Sequence, residues 1–217
     1  MKTPAFTKTY GASFKLELPE LELPEGRITA VIGPNGSGKS TLAKVLAGIE
    51  PPDAKGRLLP AVRVGYMPQK SFAFRMRTER NILLNGGDAA RAAALMQALG
   101  MEGLARQSAK KLSGGETAKM ALCRVLMGVY ELLILDEPTA AMDMESTLAA
   151  EALIRSACEA QNCALLLITH SVSQARRLAD RVIFLDHGKL VEQGEGAQLL
   201  DAPKDVQTKR FLDFYGV

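Results

Sequence analysis

The sequence predicts an α/β fold: a mostly parallel, buried sheet flanked by helices, with an N-terminal antiparallel β subdomain and an inserted helical subdomain. Three observations predict it. The runs "RITAVI" (27–32), "RVGYM" (63–67), "LLIL" (132–135), "ALLLIT" (164–169) and "RVIFL" (181–185) are short and almost continuously apolar, as strands covered on both faces are. Helix-forming stretches separate them, as the crossovers between parallel strands require. Between residues 71 and 127 the strand signals vanish.

The elements follow in chain order. "FKLEL" (14–18) alternates apolar and polar residues and reads as a half-solvated antiparallel strand. "RITAVI" is the first buried strand and leads through a glycine-rich loop into the helical "LAKVLAG" (42–48). After "RVGYM" comes "AARAAALMQALGM" (89–101), a helix by its alanine and leucine content. Three further strands complete the parallel set. "HG" at 187–188 turns the chain into a last strand over 189–193, and helical or irregular residues run to "RFLDFYGV". The expected organisation is one domain, 1–217, whose core is 1–70 and 128–217 and whose helical subdomain is about 71–127.

A chain of 217 residues with 47% hydrophobic content can bury one core and a small lobe. Its 27 Lys+Arg against 24 Asp+Glu give a formal net charge of +3, too small for a nucleic-acid footprint, so no nucleic-acid partner is expected. The longest apolar runs, 132–135 and 163–168, fall far short of the roughly 20 residues of a spanning helix. The N-terminal "MKTPAFTKTYG" has no apolar signal core, which points to the cytoplasm. Cys123, Cys158 and Cys163 form no CxxC pair and have no histidine nearby, so inert, buried thiols are expected.

"GPNGSGKST", Gly33, Pro34, Asn35, Gly36, Ser37, Gly38, Lys39, Ser40 and Thr41, fits GxxxxGK[ST] between a strand and a helix, the setting a phosphate loop requires. Its glycines let successive backbone N–H groups turn inward, and the helix adds the partial positive charge of its N-terminus. A triphosphate is the expected guest, with Lys39 reaching its β- and γ-phosphates and Ser40 ligating Mg²⁺. "LLILDEP" (132–138) ends an apolar strand in two carboxylates, and ligands of open α/β sheets bind at the carboxyl ends of strands. Asp136 is placed to hold Mg²⁺, and Glu137 to polarise a water for attack on the γ-phosphorus. Farther on, "KKLSGGETAKM" (110–120) puts a serine and two glycines before a helical run. It looks like a second anion loop, without the lysine.

With these motifs in place the chain resembles the ATP-binding cassette ATPases, the motor subunits of transporters, built on a P-loop NTPase core, and the resemblance covers nearly all of it. "LSGGE" (112–116) is similar to that family's signature motif. The resemblance implies two copies paired head to tail around two ATP, with Ser113, Gly114 and Gly115 of each closing on the nucleotide of the other. It also implies that Tyr10 stacks on adenine, that Gln69 contacts Mg²⁺ or the attacking water, that Asp143 runs along the partner copy, and that His170 contacts the γ-phosphate. Integral membrane permease subunits and a solute-binding protein are the implied partners, and the inner face of the membrane the implied place. The closing "RFLDFYG" (210–216) is similar to the ends of amino-acid and oxyanion importer ATPases, which favours import of a polar amino acid or an oxyanion such as tungstate. Thr117, where the family commonly has glutamine or arginine, and "AAMD" (140–143) depart from the pattern without altering a group that touches phosphate. The short interval from Gln69 to Leu112 implies a compact lobe. A soluble cassette ATPase of iron–sulfur scaffold assembly shares every motif and stands as the alternative. A chromosome-maintenance protein lacks its coiled coil here, and a nucleotide kinase leaves "LSGGE" and His170 unused.

Overall fold

The computed structural model describes residues 1–54 and 56–215. In chain order the elements are β1 (Lys2–Thr3), β2 (Phe6–Tyr10), β3 (Phe14–Leu18), β4 (Leu21–Glu22), β5 (Ile28–Ile32), α1 (Lys39–Leu46), β6 (Val64–Met67), α2 (Thr78–Ile82), α3 (Ala89–Ala98) and α4 (Gly114–Leu126). Then follow β7 (Leu132–Asp136), α5 (Met144–Gln161), β8 (Ala164–Ile168), α6 (Val172–Leu178), β9 (Arg181–Asp186), β10 (Lys189–Glu195), α7 (Gly196–Asp201) and α8 (Val206–Phe214).

The main sheet has the order β2-β3-β10-β9-β5-β8-β7-β6, and its five strands β9, β5, β8, β7 and β6 run parallel. Every residue of β5, β7 and β8 is buried, as their almost continuously apolar sequences require, with Thr29 and Asp136 the polar exceptions. Successive side chains of a strand point to opposite faces. Thus Leu133, Leu135, Leu165 and Leu167 enter one core with α4 and α5, while Leu132, Ile134, Leu166 and Ile168 enter another with α1. A third core gathers Ala30, Ile32, Val182 and Phe184 against α6 and α7.

The β2–β3 hairpin is antiparallel, as expected. It is fused to the main sheet: β3 pairs with β10 through Lys189 and Glu17, and among the described residues only the two-stranded β1–β4 sheet stands apart. Between residues 71 and 127 the ordered elements are helices. Helix α3 stops at Ala98, short of the expected 101, because Gly100 takes a left-handed φ of 64°. The Met101 N–H then closes on the Met96 carbonyl at 2.8 Å, a Schellman-type end. At the other terminus α8 folds back, Phe211 meeting Phe184 at 5.1 Å between ring centroids. Gly216 of the closing "RFLDFYG" lies outside the described residues.

The parallel strands deliver four loops to one edge of the sheet: 33–38 after β5, 68–77 after β6, 137–143 after β7 and 169–171 after β8. Residues that the sequence scatters from 33 to 171 become neighbours there.

Candidate active site

The loop after β5 is wound by its glycines. Gly33 adopts φ 145°, and a Cβ there would lie 2.1 Å from the Leu185 carbonyl, so β9 packs against bare backbone. Gly33→Ala is expected to cost about 2–4 kcal/mol, since the clash is with main chain and must move a strand; chemical denaturation measures it, and a loss within 0.5 kcal/mol would refute this close packing. Gly38, at φ 105°, forms the left-handed cap of α1. Lys39 is 7% exposed, and its Nζ donates to the carbonyls of Gly33 and Pro34, both at 2.8 Å. Burial pulls its pKa down, opposed by the charges of Glu137 and Asp136. The loop therefore surrounds a fixed cation at the start of a helix, an arrangement that attracts phosphate.

A cleft of about 510 Å³ opens over this loop, and Tyr10, Phe14, Gln69 and Glu137 line it together with loop residues. Tyr10 is 38% exposed, and its hydroxyl donates to Glu50, which pairs with Lys44 at 3.2 Å. An exposed aromatic face beside the loop suits a stacked base.

Asp136 closes β7, 2% exposed, and its Oδ1 has no partner among the described residues. Burial pushes its carboxyl above the ordinary value, with the Ser40 hydroxyl beside it opposing. The neighbouring Tyr66 phenol is pushed up to about 12, first by burial and then by the Asp136 charge. A buried carboxylate with an orphaned oxygen next to a serine hydroxyl fits a divalent cation whose other ligands are water and substrate phosphates.

The raised pKa sets a sign. Between the unfolded and the folded pKa of Asp136 the native state holds more protons, so stability falls as pH rises through that window. Burying this carboxyl thus costs the fold stability above that window. Asp136→Asn is expected to raise the thermal midpoint by about 2–5 °C while weakening Mg²⁺ dependence about tenfold or more. Calorimetry and Mg²⁺ titration of nucleotide binding check both, and an unchanged Mg²⁺ dependence would contradict the role.

Glu137 has a left-handed φ of 49°, rare for a residue other than glycine. Its N–H donates to the Ile168 carbonyl at 2.9 Å, which turns the side chain out of the sheet. Its Oε2 accepts from Gln69 Nε2 at 3.0 Å and lies 3.1 Å from His170 Nδ1. Loops from three strands thus converge on one carboxylate oxygen.

The structure brings Tyr10, the 33–41 loop, Gln69, Asp136, Glu137 and His170 together. It does not bring in Ser113, Gly114 or Gly115, none of which lines the cleft. Ser113 caps α4 in a reciprocal box: its N–H donates to Glu116 Oε2 at 2.7 Å, and its Oγ accepts from the Glu116 N–H at 3.3 Å. Ser113 and Gly114 are exposed, while a Cβ on Gly115 would sit 2.8 Å from the Ala141 carbonyl. Asp143, also exposed, caps α5 by accepting from the Ser146 N–H at 2.8 Å. The start of α4 and the loop to Asp143 therefore form one surface, apart from the cleft.

Sequence reasoning missed Phe14, which bounds the cleft and packs against Gly38, as well as Tyr66 and Glu50. No spacing rule marks them; only the fold makes them neighbours. The three cysteines are buried and free, as expected.

Comparisons with known proteins complete the picture. A family model described as ABC transporter matches residues 16–140. The chain is 34% identical over 218 residues to an aliphatic sulfonates import ATP-binding protein of Streptomyces avermitilis, across 98% of this chain and 82% of that one. It is 36% identical over 200 residues to a tungstate uptake system ATP-binding protein of Peptoclostridium acidaminophilum, across 85% and 94%. Among solved structures, an ATP binding subunit of an ABC transporter superposes with a TM-score of 0.82 at 20% identity over 98% of both chains, a likeness of fold alone. In a model of ribosome-bound archaeal Pelota and ABCE1 the TM-score is 0.85 at 29% identity, over 100% of this chain and 36% of the longer one.

Proposed function

This chain belongs to the ABC transporter family and is an ATPase, and from that premise we propose that it is the motor subunit of an importer, working as a head-to-tail pair of copies around two ATP. One observation carries the reading. The cleft has a phosphate loop, a candidate metal carboxylate and a candidate base, whereas the second anion loop is exposed on another surface of the same molecule. Two such halves become complementary when a second copy turns its Ser113 surface toward the cleft of the first.

In this reading the loop 33–41 and Lys39 hold the triphosphate and Tyr10 stacks on the adenine. Ser40, Asp136 and Gln69 would hold Mg²⁺, which would supply neutralisation of the triphosphate's charge. Glu137 polarises the attacking water, His170 meets the γ-phosphate, and Ser113, Gly114 and Gly115 complete the partner's site at a helix N-terminus. Asp143 runs along the seam. Residues 1–70 and 128–217 act as the nucleotide core and 71–127 as a helical lobe.

Phosphoryl transfer depends on positioning and charge neutralisation, so hydrolysis follows closure, and loss of the γ-phosphate reopens the pair. Specific activity is expected to rise with protein concentration at saturating ATP; an activity independent of concentration down to the nanomolar range would contradict the shared site.

The motion is proposed to work on separate permease subunits, with this chain held at the inner face of the membrane and a solute-binding protein delivering cargo. No helix among the described residues is long and apolar enough to cross a membrane. A cleft of about 390 Å³ next to Pro68 supports the docking of such a subunit: Phe72, Phe74 and Leu84 around it are exposed, and the Arg124 guanidinium stacks on both phenylalanines at 5.0 and 5.5 Å. The names of the relatives support import, and two of them concern anions, aliphatic sulfonates and tungstate. An anionic cargo is the reading they favour over a polar amino acid. Nothing in those names points to a scaffold-assembly ATPase.

A further inference from the structure

Behind Glu137 and His170 lies a polar cavity of about 220 Å³, and its wall holds a buried network that the proposed chemistry does not use. Gln174, in α6, is 3% exposed. Its Nε2 donates to Thr139 Oγ1 at 2.8 Å and to Glu151 Oε1 at 3.1 Å. Glu151, in α5 and 5% exposed, is gripped by Arg177 through Nε to Oε2 and Nη2 to Oε1, both at 2.7 Å.

The chemistry fixes the direction of every bond. An ionised Glu151 can only accept, so it must face the amide nitrogen of Gln174, and the bidentate guanidinium prevents Glu151 from turning away. The amide is thereby oriented, and Thr139 is left as the acceptor of its second proton. Thr139 stands two residues after Glu137, inside the turn whose first residue holds the left-handed φ of 49°. Such a conformation persists only where surrounding contacts over-determine it. Gln174 also ties the other loop through its main chain: its backbone N–H donates to the Ser171 hydroxyl, the cap of α6, at 3.1 Å, and the Ser171 backbone N–H donates to Thr169 Oγ1 at 3.0 Å, on either side of His170.

We propose that Gln174, oriented by the Glu151–Arg177 pair, is a positioning residue for hydrolysis: through Thr139 it keeps the turn that aims Glu137, and through Ser171 it makes that turn and the His170 loop one rigid unit. The proposal rests on the ATPase reading given above. Gln174 does not line the cleft over the 33–41 loop, so it governs rate and not affinity.

The test uses the full chain, with kcat and KM for ATP and the thermal midpoint measured for Gln174→Met, Thr139→Val, their combination, and Thr139→Ser. Each of the first two is expected to lower kcat about ten- to a hundredfold, as small misplacements of a base do, with KM within about twofold. The combination is expected to be no slower than the slower single variant, because both remove one contact. Thr139→Ser, which keeps the hydroxyl, is expected to stay near the unaltered rate. A kcat within about twofold of the unaltered chain in Thr139→Val, whatever the thermal shift, would overturn the proposal, as would a loss confined to KM. Should Gln174→Met fail to fold, the contrast between Thr139→Val and Thr139→Ser decides alone. Glu137→Gln is run alongside. If the unaltered chain does not hydrolyse ATP the ATPase reading falls, whereas an inactive Glu137→Gln beside an active Thr139→Val defeats only the positioning role.

Discussion

Glu137→Gln is expected to bind ATP as the unaltered chain does, to hydrolyse it at least about a thousandfold more slowly, and to accumulate as a dimer that ATP holds together. The substitution changes almost nothing in shape. An amide oxygen can still accept from Gln69 Nε2, now at 3.0 Å, so the convergence of loops survives. What disappears is the carboxylate that, in the proposed reading, draws a proton from the attacking water. The phosphate loop is untouched, because Lys39 is anchored on Gly33 and Pro34 and not on Glu137. Binding and catalysis should therefore separate cleanly. Sizing chromatography with ATP present reads the outcome; a monomer only, or turnover within tenfold of normal, would contradict the assignment.

Ser113→Arg is expected to keep ATP affinity within about twofold while lowering hydrolysis at least about a hundredfold. Affinity survives because Ser113 does not line the cleft of its own chain. The loss of the cap that accepts from the Glu116 N–H costs about 1 kcal/mol of stability, which denaturation can register separately. A stronger result follows from sharing. When the two inactive variants are mixed before ATP is added, a mixed pair contains one site with an intact Glu137 on one chain and an intact Ser113 on the other. Hydrolysis should then reappear. Silence after mixing, with mixed pairs demonstrated by differential tagging, would refute the head-to-tail arrangement.

Much of this was legible in the chain. The buried strands announced themselves because both faces of β5, β7 and β8 meet apolar cores, so no polar alternation interrupts them. The strand, glycine-rich loop and helix around Lys39 were legible because they are contiguous. The fusion of the N-terminal hairpin to the main sheet was not, since it depends on the pairing of Glu17 with Lys189, which no local pattern encodes. Two-residue strands such as β1 and β4 are too short to carry a period. Gln174 was invisible for another reason: in "SVSQARRL" it reads as one more polar residue on a helix surface, and only its partners Thr139 and Glu151, distant in sequence, put it in the interior. The separation of Ser113 from the cleft was anticipated from resemblance, and the fold gives it a cause, since α4 packs beneath the loop to Asp143.

The continuity of the curled sheet carries a consequence for nucleotide exchange. Tyr10 and the strand that launches the phosphate loop are ribs of one plate, running through β2, β3, β10, β9 and β5. Under the proposed reading, the span from base to phosphates is set by that one sheet. Under the proposed reading, a diphosphate seats its base and first phosphates where the triphosphate did, and the shortfall appears wholly at the outer tip. Each copy therefore announces spent fuel only across the seam, to its sister, and keeps its own grip until they part.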